Sequence, residues 1–118
     1  MFVKVLKSKI HRAKVTEADL DYVGSITIDR ELIDASGLRV GQSVLVADLR
    51  NGDRFETYVM EGERGRGTIC INGAAAHRVE VGDLVIVMGF VYATEAEAAD
   101  LKPTVVLVDD NNRPAKTL

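Results

Sequence analysis

A glycine followed by a serine interrupts a stretch of strand-forming residues near the start of the chain. Tyr22 and Val23 precede Gly24 and Ser25, and the β-branched residues 26–28 follow them. Glycine within a strand indicates a bulge or an unusual backbone conformation. If the peptide unit between Gly24 and Ser25 is strained, the serine Oγ lies beside the glycine carbonyl carbon and can attack it. These residues alone favour the simpler interpretation, a β-bulge without chemistry.

Other residue types suited to binding or proton transfer are spread over the chain, and each is ordinary when taken singly. They are Lys9, Arg54, Thr57, Tyr58, Asn72 and the turn Gly73-Ala74-Ala75. The run of small residues after Asn72 allows a ligand to come close to backbone N–H groups. His11 and His77 are too isolated to predict a metal site, and the sequence contains no phosphate-binding loop or nucleophile elbow.

The composition predicts one small globular domain. A chain of 118 residues with 47% hydrophobic residues supports a single core built on aliphatic side chains. The balance of 15 basic against 18 acidic residues argues against broad affinity for nucleic acid or anionic membranes. The single cysteine, Cys70, excludes an internal disulfide and is expected to be a buried strand thiol. The sequence shows no signal peptide or membrane-length apolar run, so we expect a cytoplasmic protein.

Hydrophobic alternation and turn residues predict a mainly β protein with two short helices. Asn51-Gly52 predicts a hairpin between strands 43–49 and 54–59, and Asp29 is expected to cap a helix that ends at Gly37. The other predicted segments are basic strands over 2–14, a helical turn at 16–19, strands at 68–71 and 104–108, a strand buried on both faces at 84–92, a helix at 95–100 and a polar tail from residue 111 onward. Six or more strands joined by short turns favour a closed or nearly closed β-barrel.

Several short motifs follow one another along the chain. They are Lys-Ser-Lys-Ile-His-Arg-Ala-Lys-Val-Thr-Glu-Ala-Asp-Leu at 7–20, Tyr-Val-Gly-Ser at 22–25, Ile-Asp at 28–29, Asn-Gly at 51–52, Arg-Phe-Glu-Thr-Tyr at 54–58, Glu-Arg-Gly at 63–65, Ile-Asn-Gly-Ala-Ala-Ala-His at 71–77 and Val-Gly-Asp at 81–83. In this order and spacing the chain closely resembles the pyruvoyl-dependent aspartate 1-decarboxylases over nearly its full length. The loop Gly65-Arg66-Gly67 and residue Arg78 depart from that pattern.

The resemblance implies a double-psi β-barrel that assembles as a homotetramer with active sites at subunit interfaces. It also implies a proenzyme whose single domain, residues 1–118, is cleaved between Gly24 and Ser25. The products are a β-chain of residues 1–24 and an α-chain of residues 25–118 that begins with a pyruvoyl group. In the implied reaction Ser25 Oγ attacks the Gly24 carbonyl, an acyl shift gives an ester, and elimination with loss of ammonia leaves the pyruvoyl group. Some family members use a maturation partner, and that point stays open.

The implied activity is the conversion of L-aspartate to β-alanine and CO2 in pantothenate biosynthesis, with no metal and no pyridoxal phosphate. The substrate amine forms a Schiff base with the pyruvoyl group, which accepts the electrons released on decarboxylation. The resemblance makes Tyr58 the proton donor, gives Thr57 a part in cleavage and substrate binding, and makes Lys9 and Arg54 the carboxylate ligands. The remaining implied site residues are Gly73, Ala74 and Ala75, through their backbone, and His11, Tyr22 and Asn72 in supporting positions.

Two other functions remain open on the sequence. The first is a non-catalytic β-barrel that binds a small ligand or nucleic acid through the basic residues 4–14, although the acidic balance disfavours nucleic acid. A binding protein has no need of Ser25, Thr57 and Tyr58 together. The second is the same fold and prosthetic group acting on another amino acid. The presence of both Lys9 and Arg54 favours a dicarboxylate substrate.

Overall fold

The computed structural model describes residues 1–118, which form one nine-stranded sheet with short helices. The elements in chain order are β1 (Phe2–Lys14), β2 (Glu17–Asp19), β3 (Ser25–Asp29), α1 (Arg30–Ser36), β4 (Ser43–Asp48), β5 (Arg54–Gly62), β6 (Ile69–Asn72), a 3₁₀ helix (Gly73–Arg78), β7 (Leu84–Thr94), α2 (Glu95–Asp100), β8 (Thr104–Val108) and β9 (Pro114–Thr117). The prediction of a mainly β protein is confirmed. None of the helices has the length and apolar character that a membrane crossing requires.

The strands are hydrogen-bonded in the order β2-β6-β3-β5-β4-β7-β1-β8-β9. β3 lies between β5, which runs parallel to it, and β6, which runs antiparallel. β1 is paired on both sides, with β7 antiparallel and with β8 parallel. Its basic residues therefore extend from the faces of a central strand. β2 and β9 are the two ends of the order, and the ladder does not close into a ring.

One face of the sheet forms the core, because side chains alternate along each strand. Isoleucine and valine side chains of β3, β4, β6 and β7 are buried there, and Leu32 and Ile33 of α1 pack on them. The opposite side, called the outer face below, is half-exposed, and on β7 it carries Ile86 and Met88. The prediction that 84–92 is buried on both faces is wrong, because only one side of β7 meets the core.

The segment from Thr16 to Asp19 is a strand connection, and the predicted helical turn is wrong. The Thr16 N–H donates to the carbonyl oxygen of Ile69 at 2.8 Å, and the Thr16 hydroxyl contacts the same oxygen at 3.1 Å. β2 then pairs with β6 in parallel. The hydroxyl that would cap a helix is used between strands, since tertiary pairing outweighs a weak local preference.

The end of the chain is docked on the sheet, so the predicted polar tail from residue 111 onward includes a strand that the sequence analysis missed. Asn112 is 3% exposed, has a φ of 58°, and hydrogen-bonds both backbone groups of Lys14 and the carbonyl oxygen of Gly67. Residues 114–117 follow as β9 and pair with β8. The amide of Asn112 satisfies backbone groups that would otherwise be buried without partners, which is a tertiary requirement.

Asp29 ties α1 to the glycine-rich loop 63–67. Its carboxylate accepts from the N–H of Glu31 at 2.8 Å, as the predicted helix cap, and Gly37 ends the helix with a φ of 76°. The same carboxylate accepts from the N–H groups of Gly65 at 3.1 Å and Gly67 at 2.6 Å. Charged acceptors make the stronger class of hydrogen bond, so this loop is held firmly where it leads into β6.

The predicted hairpin is present, and two buried carboxyl groups anchor it. β4 and β5 pair across the Asn51-Gly52 turn, where the glycine has a φ of 74°. The Asp48 and Asp83 carboxyl groups are neighbours, both beside Arg50: Asp48 Oδ1 accepts from the backbone N–H of Arg50 at 2.8 Å, and Arg50 Nε donates to Asp83 at 2.8 Å. Burial raises the pKa of Asp48, and the contact with Asp83 raises it further. Burial opposes ionisation of Asp83 as well, but the hydrogen bond from Arg50 and the contact with Asp48 lower its pKa to about 2.

Replacing Asp48 with asparagine is expected to remove a pH-dependent loss of stability. A carboxyl group whose pKa is raised by folding stabilises the native state below its unfolded pKa, and that contribution is lost as the pH rises through the folded value. An amide donates to Asp83 at every pH. The variant therefore gains on wild type above about pH 4, by about 1.4 kcal/mol for each unit by which folding raises the pKa of Asp48.

Urea unfolding across this pH range measures the difference in unfolding free energy. Both proteins, with Asp48 and with Asp48→Asn, carry Ser25→Ala so that no cleavage at residue 24 intervenes. A difference in unfolding free energy between Asp48→Asn and its parent that stays constant with pH would show that folding does not raise the pKa of Asp48.

Candidate active site

Ser25 opens β3 and lies opposite Asn72, the last residue of β6. The two residues form a register pair of the antiparallel ladder, and they are 1% and 3% exposed. Asn72 Nδ2 donates to Ser25 Oγ at 2.8 Å, whereas the serine hydroxyl has only a long contact of 3.5 Å to the carbonyl oxygen of Val23. The hydroxyl therefore lies beside the peptide bond with Gly24 and accepts a hydrogen bond from one amide donor. Its own proton has only a weak hydrogen-bond acceptor.

Four polar side chains share the outer face of the β3–β6 pair, and two of them were not predicted as site residues. They are Ser25, Thr27, Cys70 and Asn72. Asn72 Nδ2 also donates to Thr27 Oγ1 at 3.0 Å, and the Cys70 thiol donates to Asn72 Oδ1 at 3.2 Å. As predicted, Cys70 is a buried strand thiol. The sequence signal for Thr27 and Cys70 was their spacing of two residues from Ser25 and Asn72, which places them on one strand face.

Gly73 begins the 3₁₀ helix directly against the backbone of Gly24. It has a φ of 71°, and a Cβ at residue 73 would lie 2.7 Å from the Cα of Gly24 and 2.9 Å from its nitrogen. Side-chain carbons do not approach backbone atoms this closely, so this arrangement requires glycine at residue 73. The turn therefore supports the Gly24 backbone from one side. Ala74 and Ala75 continue from it, exposed and half-buried respectively.

β5 brings Thr57 and Tyr58 to the level of Ser25. The parallel ladder with β3 begins at Ile26 and Val59, so Ser25 and Tyr58 immediately precede it on neighbouring strands. Adjacent strands are about 4.8 Å apart. Tyr58 is 38% exposed and alternates with buried Val59, which places it on the outer face. Thr57 is half-buried on the core side of the same strand.

Lys9 and Arg54 lie on the outer face but apart from Ser25. Arg54 begins β5, about 13 Å before Tyr58 along the strand. β7, β4 and β5 separate β1 from β3, so Lys9 lies about 19 Å from Ser25 along the sheet. Half-exposed apolar side chains of β4 and β7 lie between the two cations. The residues predicted around Ser25 are thus together, whereas Lys9 and Arg54 lie apart from them and from each other along the sheet of a single chain.

His11 and Tyr22, predicted as supporting residues, make no hydrogen bond to Ser25. His11 is half-buried on β1, and its Nδ1 atom is buried without a hydrogen-bond partner. Burial lowers the pKa of His11, and the charges of Lys9 and Arg12 lower it further, which favours the neutral ring. Tyr22 is 55% exposed, and only its backbone carbonyl approaches the turn after β6.

Comparison with known proteins assigns the chain to a family. The family model described as aspartate decarboxylase matches residues 1–115. This chain belongs to the aspartate decarboxylase family. The aspartate 1-decarboxylase of Caldicellulosiruptor saccharolyticus is 58% identical over 116 residues, which are 98% of this chain and 91% of the relative. Those of Corynebacterium efficiens and Neisseria meningitidis are 58% and 54% identical over 113 residues, covering 96% of this chain and 83% and 89% of the relatives.

Membership in the aspartate decarboxylase family confirms the resemblance drawn from the motifs, and the family implies a pyruvoyl group at residue 25. The surroundings of Ser25 fit a small carbonyl group, because the position is buried and an amide N–H of Asn72 points at its oxygen. The neighbouring turn carries no side chain at Gly73 that would crowd it. The structure holds no set of three or more His, Cys, Asp or Glu side chains that could bind a metal ion.

Proposed function

We propose that this chain is an aspartate 1-decarboxylase that cleaves itself between Gly24 and Ser25. The cleaved protein then converts L-aspartate to β-alanine and CO2, a step of pantothenate biosynthesis. The observation that carries the proposal is the buried Ser25 hydroxyl, held by Asn72 beside the Gly24 peptide in a chain of this family. Relatives 54% to 58% identical bear the name aspartate 1-decarboxylase, which supports the choice of substrate.

The proposed cleavage uses the Ser25 hydroxyl first as nucleophile and then as leaving oxygen. Oγ bonds to the Gly24 carbonyl carbon, the C–N bond breaks, and the hydroxyl proton passes to the nitrogen. The Cα proton of residue 25 then leaves, the Cβ–Oγ bond breaks, and Gly24 departs as a carboxylate. Water finally displaces the nitrogen as ammonia and leaves a keto group. Asn72 donates to Ser25 Oγ, which gains negative charge as the Cβ–Oγ bond breaks. The bond between Oγ and the Gly24 carbonyl carbon first closes a cyclic intermediate, and we assign Thr57 to hydrogen-bond its oxygen.

Once formed, the pyruvoyl group supplies a carbonyl that binds the substrate amine and accepts the electron pair of the broken C–C bond. The chain itself binds and orients the substrate. Arg54 suits a two-point contact with one carboxylate, and Lys9 supplies a single positive charge for the other group. Tyr58, level with residue 25, is assigned to deliver a proton to the α-carbon. The backbone of residues 73–75 adds N–H donors.

The proposal includes a homotetramer in which two copies build each site. Lys9 and Ser25 lie on strands of one chain that three other strands separate, about 19 Å apart along the sheet. The outer face between the cations is apolar and half-exposed. Contact with a second copy would bury this face and bring Lys9 and Arg54 of that copy to the residues around Ser25 of the first.

A double-psi β-barrel is the topology that we propose for each copy. Only Val15 and Thr16 separate β1, which pairs with β7 and β8, from β2, which pairs with β6. One nearly continuous segment thus connects β2, at one end of the strand order, with β1, the third strand from the other end, and this path supports a barrel closed through the chain. The proposal also keeps the cytoplasmic location that the sequence predicts.

The intact mass of the denatured chain, taken before and after warming, tests the proposal. We expect fragments of residues 1–24 and 25–118, the larger one with a blocked amino terminus that reacts with a carbonyl reagent. The same sample should release β-alanine from L-aspartate, and the control Ser25→Ala should stay at full mass and release none. Cleavage that occurs only with added cell extract would reveal a maturation partner. A chain that remains whole even with extract would contradict the proposal.

A further inference from the structure

The side-chain amide of Asn72 is hydrogen-bonded on three sides. Its two N–H groups are used by Ser25 Oγ and Thr27 Oγ1, at 2.8 and 3.0 Å from Nδ2. Its oxygen accepts from the thiol of Cys70 at 3.2 Å. Asn72 and Cys70 are 3% and 6% exposed, so water does not compete strongly for these bonds. The orientation of the amide is therefore set by these three neighbours.

Cys70 is the neighbour that distinguishes the two ends of the amide. Serine and threonine hydroxyls donate and accept readily, so Ser25 and Thr27 tolerate either orientation of Asn72, whereas a thiol sulfur is a weak acceptor of an amide N–H. Burial and the nearby negative charges of Glu17 and Asp19 raise the pKa of the Cys70 thiol to about 11, which keeps its proton in place. Turning the amide over would set an N–H against the S–H group, and it would direct the oxygen of Asn72 at Ser25.

We propose that Cys70 is a positioning residue for self-cleavage, which keeps Asn72 as a hydrogen-bond donor to Ser25 Oγ. This inference rests on the proposed function. A donor at Oγ stabilises the negative charge on this oxygen as the Cβ–Oγ bond breaks, whereas an acceptor there would oppose that charge. Cys70 is 6% exposed and touches no reacting atom in this structure, so its effect passes through Asn72.

The rate of cleavage in two Cys70 variants tests the inference. Cys70→Ala removes the donor and is expected to slow the appearance of the 25–118 fragment about tenfold, the scale of one net hydrogen bond. Cys70→Ser restores a donor that can also accept, so about half or more of the molecules keep Asn72 as a donor to Ser25, and cleavage is expected within about twofold of wild type. Ser36→Ala is the control for stability, because Ser36 is fully buried and hydrogen-bonded to Ile33 and Leu38 outside this network. Ser36→Ala should cleave at the wild-type rate even if its thermal stability equals or falls below that of Cys70→Ala.

The outcomes separate this inference from the proposed function. A wild-type chain that never cleaves overturns both, whereas cleavage of Cys70→Ala at the wild-type rate overturns the inference alone. Equal slowing in Cys70→Ala and Cys70→Ser also overturns it, because packing would then explain the effect.

The infrared S–H stretch gives a second test, since Cys70 is the single cysteine of the chain. We expect this band at lower frequency in wild type than in Asn72→Ala. An unchanged frequency would show that the thiol does not donate to Asn72.

Discussion

Gly73→Ala is expected to stop self-cleavage and, with it, all decarboxylation. The new Cβ would lie 2.7 Å from the Cα of Gly24, and the φ of 71° at residue 73 adds strain for any residue with a side chain. Either the turn or the Gly24 peptide must move. In both cases the Gly24 carbonyl leaves its place beside Ser25 Oγ, so we expect cleavage at least about 100-fold slower.

Intact mass over time measures this effect, and Gly52→Ala is the matched control. Gly52 has nearly the same φ, 74°, but a Cβ there would meet nothing within 4 Å. The control therefore carries the cost of a positive φ without the collision, and it should cleave at the wild-type rate. If Gly73→Ala cleaves as fast as Gly52→Ala, the close approach to Gly24 does not position the scissile peptide.

Two inactive variants, Ser25→Ala and Lys9→Ala, are expected to restore activity to each other when coexpressed. The first cannot form the prosthetic group, and the second lacks a cation for the substrate. If each site takes Ser25 from one copy and Lys9 from its neighbour, mixed oligomers contain sites with both residues intact. Random mixing gives about a quarter of the wild-type activity. Each variant carries a different affinity tag, and purification through both tags isolates the mixed oligomers. A β-alanine assay then measures their activity.

Coexpression of Ser25→Ala with Asn72→Ala is the control for this experiment. Ser25 and Asn72 are hydrogen-bonded within one chain, so no mixed site regains both, and we expect no recovery. Recovery in the control would indicate exchange of whole segments between copies. Absence of recovery for the Ser25→Ala and Lys9→Ala pair would mean that one chain supplies both residues, and the proposed sharing of sites would be wrong.

The sequence predicted the locally determined parts of the fold. The Asn51-Gly52 hairpin and the Asp29-capped helix depend on backbone conformations and hydrogen bonds within a few residues, and turn and cap chemistry report these directly. The segment 16–19 was predicted incorrectly, and the docking of the chain end through Asn112 was missed. Their partners, Ile69 and Lys14, are distant in sequence, and local propensity does not contain that information.

The candidate site was predictable to the same degree. Ser25 and Asn72 were both identified, but their direct hydrogen bond depends on the register of β3 and β6, which the sequence does not specify. Cys70 was interpreted as packing because a lone buried thiol usually is. Its contact with Asn72 became visible only when the strand faces were known. The separation of Lys9 from Ser25 follows from the strand order and could not be inferred from spacing.

The pairing of β1 and β2 determines what the proposed cleavage leaves behind. Residues 1–24 include both strands, and Ile10, Ala13 and Val15 of this segment are completely buried. After the cut, the short piece stays in place only through noncovalent contacts with β6, β7 and β8. Each uncut chain folds by first-order kinetics before any assembly, whereas the two pieces of a cut chain must first find each other, so even the folding of one copy depends on concentration. The mature protein would therefore depend on slow unfolding rather than on reversible refolding to persist.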